Sequence, residues 1–176
     1  DLDGALPNVM IGDGAGGVWI GTGGAGLRHV RRLAARRLTM ADGLPDRPVH
    51  HLAYDGADGL WIGNCGGLAL WRAGVLEVQR TSDFGLPDRC IRGLLREPDG
   101  VLWIGTFGGV SRFDGRTFTP FALPASEPDP SRGVSSARLV HSILQDSTGR
   151  IWFGTSGGAH IFDGRSFTRI TENDGL

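Results

Sequence analysis

The chain has 176 residues, 30 of them glycine, with 40% hydrophobic residues and a formal net charge of -1 at pH 7. That balance gives no whole-molecule attraction to nucleic acid or to an anionic membrane, and no window approaches 18 consecutive apolar residues. Two cysteines exclude a disulfide-dense secreted module and fall short of the four closely spaced ligands of a structural zinc site.

Four copies of one tetrapeptide organise the sequence. They are Trp19-Ile20-Gly21-Thr22, Trp61-Ile62-Gly63-Asn64, Trp103-Ile104-Gly105-Thr106 and Trp152-Phe153-Gly154-Thr155, with tryptophans 42, 42 and 49 residues apart. A unit of about 42 residues holding only short strands and turns is the size of one four-stranded propeller blade. The expected fold is therefore all-β: a β-propeller of four four-stranded blades, forming part of a larger ring of about seven. The repeats run over about 5–41, 42–83, 84–122 and 135–173, with an insertion loop at 123–134. The opening Asp3-Gly4-Ala5-Leu6-Pro7 and the closing Asp174-Gly175-Leu176 are versions of the linker Asp42-Gly43-Leu44-Pro45-Asp46, which reads as a segment cut from a longer propeller. The first residues do not have the pattern of a signal peptide.

Within each copy, a first strand carries an acidic residue six positions before the tryptophan: Asp13, Asp55, Glu97 and Asp146. A turn follows, then the tryptophan strand, then a Gly-Gly turn at Gly66-Gly67, Gly108-Gly109 and Gly157-Gly158. Third and fourth strands meet across Asp114-Gly115 and Asp163-Gly164, a strong hairpin signal. In the first copy, Leu27 to Arg37 lacks the hairpin glycine and is expected to form a helical turn. In the fourth, Pro124 to Pro130 reads as a proline-rich surface loop that lengthens the spacing. The repeated tryptophans are expected to fill the space between neighbouring blades, since repeats bury their faces only by stacking.

Two segments imitate catalytic or cofactor motifs. Gly154-Thr155-Ser156-Gly157-Gly158 matches the nucleophile elbow, but the equivalents of Ser156 are Gly23, Cys65 and Phe107, so the position is a variable turn residue. Gly21 to Gly26 matches the dinucleotide fingerprint without a βαβ unit after it. His50 and His51 are adjacent on a strand and point to opposite faces, so they cannot chelate one ion together. No catalytic residue, metal site or cofactor is assigned.

The repeat register exposes one polar column. Arg47, Arg89 and Arg138 each lie 14 residues before their tryptophan, and three residues later come His50, Arg92 and His141, with Ala5 and Asn8 in the first copy. In a propeller the linker into the first strand and the turn between second and third strands emerge on one face, at the mouth of the central channel. Asn64, Cys65, Phe107, Thr155 and Ser156 belong to that turn. Arg47, Arg89, Arg138, His50, Arg92, His141, Asn64 and Phe107 are thus the candidate ligand-binding residues, because guanidinium groups suit carboxylate, sulfate or phosphate and an aromatic contacts a sugar face. The bland alternative is that Asp46 and Asp88 pair with the neighbouring arginines as a structural ladder. Cys65 and Cys90 lie in loops of the same face, and spacing leaves open whether they pair.

Gly-Leu-Pro-x-x-x-Val-x-x-Leu/Ile-x-x-Asp, followed by Asp-Gly-x-Leu-Trp-Ile-Gly-Thr-x-Gly-Gly-Val/Leu-x-Arg-Phe, resembles the two-component regulator propeller repeat. The best matching stretches are Gly85-Leu86-Pro87 through Phe113 and Ser147 through Phe162. The resemblance implies a non-enzymatic, periplasmic sensor region of a hybrid histidine kinase or diguanylate cyclase. It further implies a small-molecule ligand such as an oligosaccharide, and contact with the membrane only through the parent protein. Ring closure would come from further blades or a second copy of the chain. Asp46-Arg47 and Asp88-Arg89 depart from the small polar residues usual after Leu-Pro in that family. Two other readings are a propeller lyase resembling the streptogramin lyases, with His141 or His50 as general base, and a protein-interaction platform.

Overall fold

The structure is a computed structural model that describes residues 4–32, 34–56, 59–79, 85–125, 138–171 and 174–175. The insertion expected at 123–134 lies outside the described residues from 126 onward. Among the described residues there are four antiparallel sheets of four strands each. The first comprises β1 (Pro7–Gly12), β2 (Val18–Thr22), β3 (Leu27–Arg31) and β4 (Ala34–Leu38), and the second β5 (His51–Tyr54), β6 (Leu60–Asn64), β7 (Gly67–Arg72) and β8 (Val75–Gln79). The third holds β9 (Ile91–Arg96), β10 (Leu102–Thr106), β11 (Gly109–Phe113) and β12 (Phe118–Phe121). The fourth holds β13 (Val140–Gln145), β14 (Ile151–Thr155), β15 (Gly158–Phe162) and β16 (Phe167–Ile170). Strands follow chain order across every sheet, so each sheet is a meander built from one repeat. A 3-10 turn, Met40–Asp42, follows the first sheet, capped by Thr39 and closed by Gly43. No helix among the described residues is long and apolar enough to cross a membrane.

The helical turn expected over Leu27 to Arg37 is a hairpin instead. Leu27 pairs with Leu38 and Arg28 with Arg37, and both leucines are buried. Burying that apolar pair at the base of β3 and β4 outweighs the missing hairpin glycine, and it leaves Arg31, Arg36 and Arg37 exposed while Arg28 is half-buried. Arg37 also donates to the Ala25 carbonyl at 3.2 Å.

Contacts divide the chain into two compact units, one of residues 1–83 with 89–91, the other of 84–88 with 92–176. In the first unit Trp19, Leu27, Leu38, Leu44, Val49, Leu52, Leu60 and Ile62 form one core. In the second, Trp103, Val110, Val140, Ile143, Ile151 and Phe153 form another. Trp103 is 1% exposed and meets Phe121 and Phe153 edge-on, with centroids 4.7 and 5.5 Å away, a geometry favoured by the ring quadrupoles.

Adjacent sheets inside each unit join by one device. A Cβ on Gly21 would lie 2.6 Å from Val49 Cγ1, and one on Gly105 would lie 2.6 Å from Val140 Cγ1. The glycine of the tryptophan strand is therefore a socket, and the valine leading into the next sheet fills it. Both valines are fully buried. The Val49 N–H also donates to the Thr22 carbonyl at 2.9 Å, tying one repeat's linker to the preceding repeat's second strand.

The recurring acidic residue is a local organiser. Asp13 accepts from the N–H groups of Ala15 and Gly17 and faces His29 Nε2 at 2.9 Å. Asp55 accepts from Gly59 N–H and pairs with Arg72. Glu97 and Asp146 accept the indole N–H of Trp103 and Trp152 at 2.7 and 2.9 Å. Each carboxylate thus closes the turn between first and second strands or satisfies a tryptophan donor that packing would otherwise strand. Backbone bonds from Gly17 and Ala15, with His29 and Arg31, hold the Asp13 carboxyl down to about 2.

Candidate functional site

In every repeat the linker into the first strand packs against the turn between second and third strands. Gly23 N–H donates to the Leu6 carbonyl at 2.9 Å, and Ser156 N–H to the Leu139 carbonyl at 3.0 Å. Gly66 and Gly108 sit so close to the carbonyls of Pro45 and Pro87 that no side chain fits; a Cβ on Gly108 would lie 2.6 Å from Pro87 O. The Leu-Pro of the linker and the Gly-Gly of the turn are therefore two halves of one joint. They bring the column's arginines and histidines to the same sheet edge as the turn residues.

The turn is braced from within. Thr22, Thr106 and Thr155 each donate a hydroxyl to a carbonyl across the turn, at 2.8, 2.9 and 2.8 Å. Asn64 takes that place in the second repeat: its carbonyl accepts from Gly66 N–H at 2.9 Å and its amide donates to Asp46 O at 3.3 Å. Asn64 is fully buried, and both ends of its amide are engaged in the joint.

A displacement in strand register aims the histidines. In the fourth sheet Val140 pairs with Thr155 and Ser142 with Gly154, which leaves His141 as an extra residue. Asn8 is the extra residue in the first sheet, between Pro7 and Val9. His50 donates its N–H to Gly63 O at 2.9 Å, one residue before His51 pairs with the same Gly63. Bulges re-aim side chains at sheet ends, and these recur at the column's second row. His141 is exposed and its Nε2 lies 2.9 Å from Ser156 Oγ.

The column is divided between the two units. In the first, Arg47 and Arg89 are exposed and His50 is half-buried. Asp46 turns a carboxylate oxygen to the Arg47 backbone N–H at 2.7 Å, a local turn bond in place of the ladder pairing at that position. In the second unit Arg92 stands over the Phe107 ring, 5.7 Å from its centroid, and Phe107 is 41% exposed. Arg138 is exposed and borders a cavity of about 510 Å³, whose apolar wall includes Val110, Pro120, Phe121 and Leu123. His160 also lines it. That imidazole is buried, its Nδ1 has no hydrogen-bond partner, and burial with Arg169 nearby pushes its pKa down. No sequence signal marks His160; its orphan nitrogen shows only in three dimensions.

Cys65 and Cys90, left open by spacing, are joined as a disulfide across 25 residues, and no free cysteine remains. It ties the turn after β6 to the linker before β9. His50 Nε2 lies 3.4 Å from Cys65 Sγ. Taken separately, the histidines and the two cysteines assign no metal site from sequence; the fold gathers His50, Cys65 and Cys90, with all three donor atoms within 4.8 Å of one another.

The two component regulator propeller family matches residues 85–108 and 134–157. No curated protein matches the chain by sequence. Among solved structures, the chain is similar to the extracellular domain of a protein described as a hybrid two component system from B. thetaiotaomicron. The TM-score is 0.74 at 20% identity, covering 95% of this chain and 23% of that one. It is also similar to virginiamycin B lyase from Staphylococcus aureus, with a TM-score of 0.73 at 15% identity over 94% of this chain and 55% of the lyase. An ancestral GH74 enzyme gives 0.74 at 13% identity, with coverage of 96% and 24%. The chain thus spans between about a quarter and about half of these proteins, and at such identity the likeness shows the fold alone. Sheet architecture and fold neighbours agree: this chain is a β-propeller segment of four-stranded blades, and its residues 85–108 and 134–157 match the two component regulator propeller family.

Proposed function

We propose that this chain is a non-catalytic, extracytoplasmic sensor segment of a signal-transduction protein. It binds a small ligand at the loop-bearing edge of its sheets and relays occupancy to a histidine kinase or diguanylate cyclase. The observation that carries this reading is the cavity of about 510 Å³ in the second unit. It combines an apolar wall with the Arg138 guanidinium and the His160 imidazole, and few convergent polar groups in an apolar hollow are the usual makings of a ligand site. The neighbouring Arg92 and Phe107 pair a cation with an accessible ring face, which suits an acidic sugar: the ring packs on the aromatic and the carboxylate meets a guanidinium. His141 belongs to the same unit, and Arg47, Arg89 and His50 present the same chemistry in the first. The repeat family, together with the extracellular two component domain among the fold neighbours, supports the signalling context. Relay requires that the ligand prefer one arrangement of the protein over another, since equal affinity shifts nothing.

Thermal unfolding across a panel of neutral and acidic oligosaccharides tests this, because a ligand of the folded state raises the melting point. Acidic sugars are expected to raise it, and Arg138→Ala and Arg89→Ala to reduce the shift without lowering the unliganded melting point. Two arginine variants that melt lower and leave binding intact would make the column structural and refute the site. The runner-up is a lyase, favoured by the exposed His141, which would serve as general base; a sugar or lactone converted to product by the isolated chain would decide for it.

A further inference from the structure

We propose that His50, Cys65 and Cys90 form a redox-gated site for a soft or borderline cation of the zinc and copper(I) class. The cation binds when the Cys65–Cys90 disulfide is reduced and is excluded while that bond stands. This goes beyond the sensor reading and stands independently of it.

The backbone positions the donors. Cys65 occupies the β6–β7 turn, which Asn64 braces from below. Cys90 is 5% exposed, in the linker ahead of β9. His50 is the residue displaced from register before β5, with Nε2 3.4 Å from Cys65 Sγ. Thiolate and imidazole donors around one tetrahedral ion stand about 3.5–3.8 Å apart, given metal–sulfur and metal–nitrogen bonds near 2.3 and 2.0 Å. The three donor atoms here all lie within 4.8 Å of one another, so closing on an ion needs only side-chain movement. Two thiolates and an imidazole select zinc or copper(I) over the hard cations magnesium and calcium. Three protein ligands leave a fourth position open to water or an anion.

The chemistry balances without any group beyond a reductant. A water-soluble phosphine attacks one sulfur and breaks the S–S bond. Water then supplies the oxygen of the phosphine oxide, and two thiols result, the phosphine having given up two electrons. Each thiol loses its proton on binding the cation, so the site takes up one divalent ion and releases two protons. In the oxidised chain both sulfurs are spent on each other, and His50 alone holds no ion.

The test uses the whole chain, phosphine-reduced and oxidised, with cobalt(II) as the optical probe and far-UV circular dichroism as the check on folding. The reduced wild type should bind one cobalt with a thiolate-to-cobalt charge-transfer band that zinc abolishes by displacement, and the oxidised chain should show none. Cys65→Ser should remove most of the band. His50→Ala should keep it while weakening binding at least about tenfold, the size of effect that even a partner outside the ligand set commonly has. Because the reduced wild type lacks the cross-link too, loss of the disulfide is controlled within the experiment. The proposal is overturned by a reduced, folded chain that binds no cobalt, or by equal binding in the oxidised chain or in Cys65→Ser/Cys90→Ser. A reduced chain that unfolds with and without zinc overturns it as well, since the site needs both loops in place.

Discussion

Replacing Gly105 with alanine probes the joint between the two sheets of the second unit. The new methyl would meet Val140 Cγ1 at 2.6 Å, Val140 Cβ at 3.0 Å and Ile143 Cδ1 at 3.3 Å, against an optimum of about 3.5–4.0 Å between carbons. Val140 is fully buried and Ile143 nearly so, so neither can swing into solvent. Overpacking of this kind costs about 1–3 kcal/mol. Gly105 does not have the positive φ that would strain alanine, and removing a glycine restricts the unfolded chain by about 0.4–1 kcal/mol. The net expectation is a loss of about 1–2 kcal/mol, or a urea midpoint lower by roughly 0.5–1 M. Val140→Ala alone should cost about 2 kcal/mol through lost burial and a cavity. The double variant should be less destabilised than the sum of the two, by about 1 kcal/mol, because the added methyl then occupies the vacated space. Urea titrations followed by tryptophan fluorescence and circular dichroism measure all four proteins. Single effects that add within about 0.3–0.5 kcal/mol would refute the socket reading.

Trp103→Ala should cost about 3–5 kcal/mol, the range for deleting a buried aromatic, whereas Trp103→Phe should cost less because it loses chiefly the indole bond to Glu97; chemical denaturation compares them. Asp13, held down to about 2 by its turn and His29, contributes stability that is present above the unfolded carboxylate value near 3.8 and is lost as pH falls through about 2. Asp13→Asn should flatten the acid limb of the melting curve, and an unchanged limb would remove Asp13 from the account. Burial lowers the pKa of His51 below its ordinary value of 6.5, so its contribution is complete above that value and declines as pH drops below it; His51→Phe should reduce that slope between pH 7 and 5. Breaking the Cys65–Cys90 bond, which spans 25 residues, should lower stability by about 3.5 kcal/mol on the chain-entropy estimate, read from paired melts with and without reductant.

Strand order was legible because Trp-Ile-Gly-Thr, Gly-Gly and Asp-Gly recur at fixed offsets, and each encodes a local requirement: a buried ring, a close linker, a tight hairpin. Where a local rule was absent, as at Arg32 between β3 and β4, inference failed, since the hairpin is set by the distant burial of Leu27 against Leu38. The candidate edge was legible from the register of Arg47, Arg89 and Arg138. Its details were not, because they arise from relations between segments. The displaced His141, the buried Asn64, the pairing of Cys65 with Cys90 and the orphan nitrogen of His160 all depend on which turn lies beside which linker. A signal did exist for Asn64. It stands where the other copies have threonine, and threonine there closes the turn.

The glycine socket and its valine knob have a consequence for descent as well as for stability. Within each unit the later repeat donates the knob and the earlier one offers the socket, so the two meet through matched halves. A change on one half is tolerated only with a matching change on the other, as expected where stability comes from nearest neighbours. The joint does not depend on the 42-residue phase: Gly105 and Val140 meet across a tryptophan spacing of 49, as Gly21 and Val49 do across 42. Repeat length in such a lineage is free to drift while the seam between paired sheets is not.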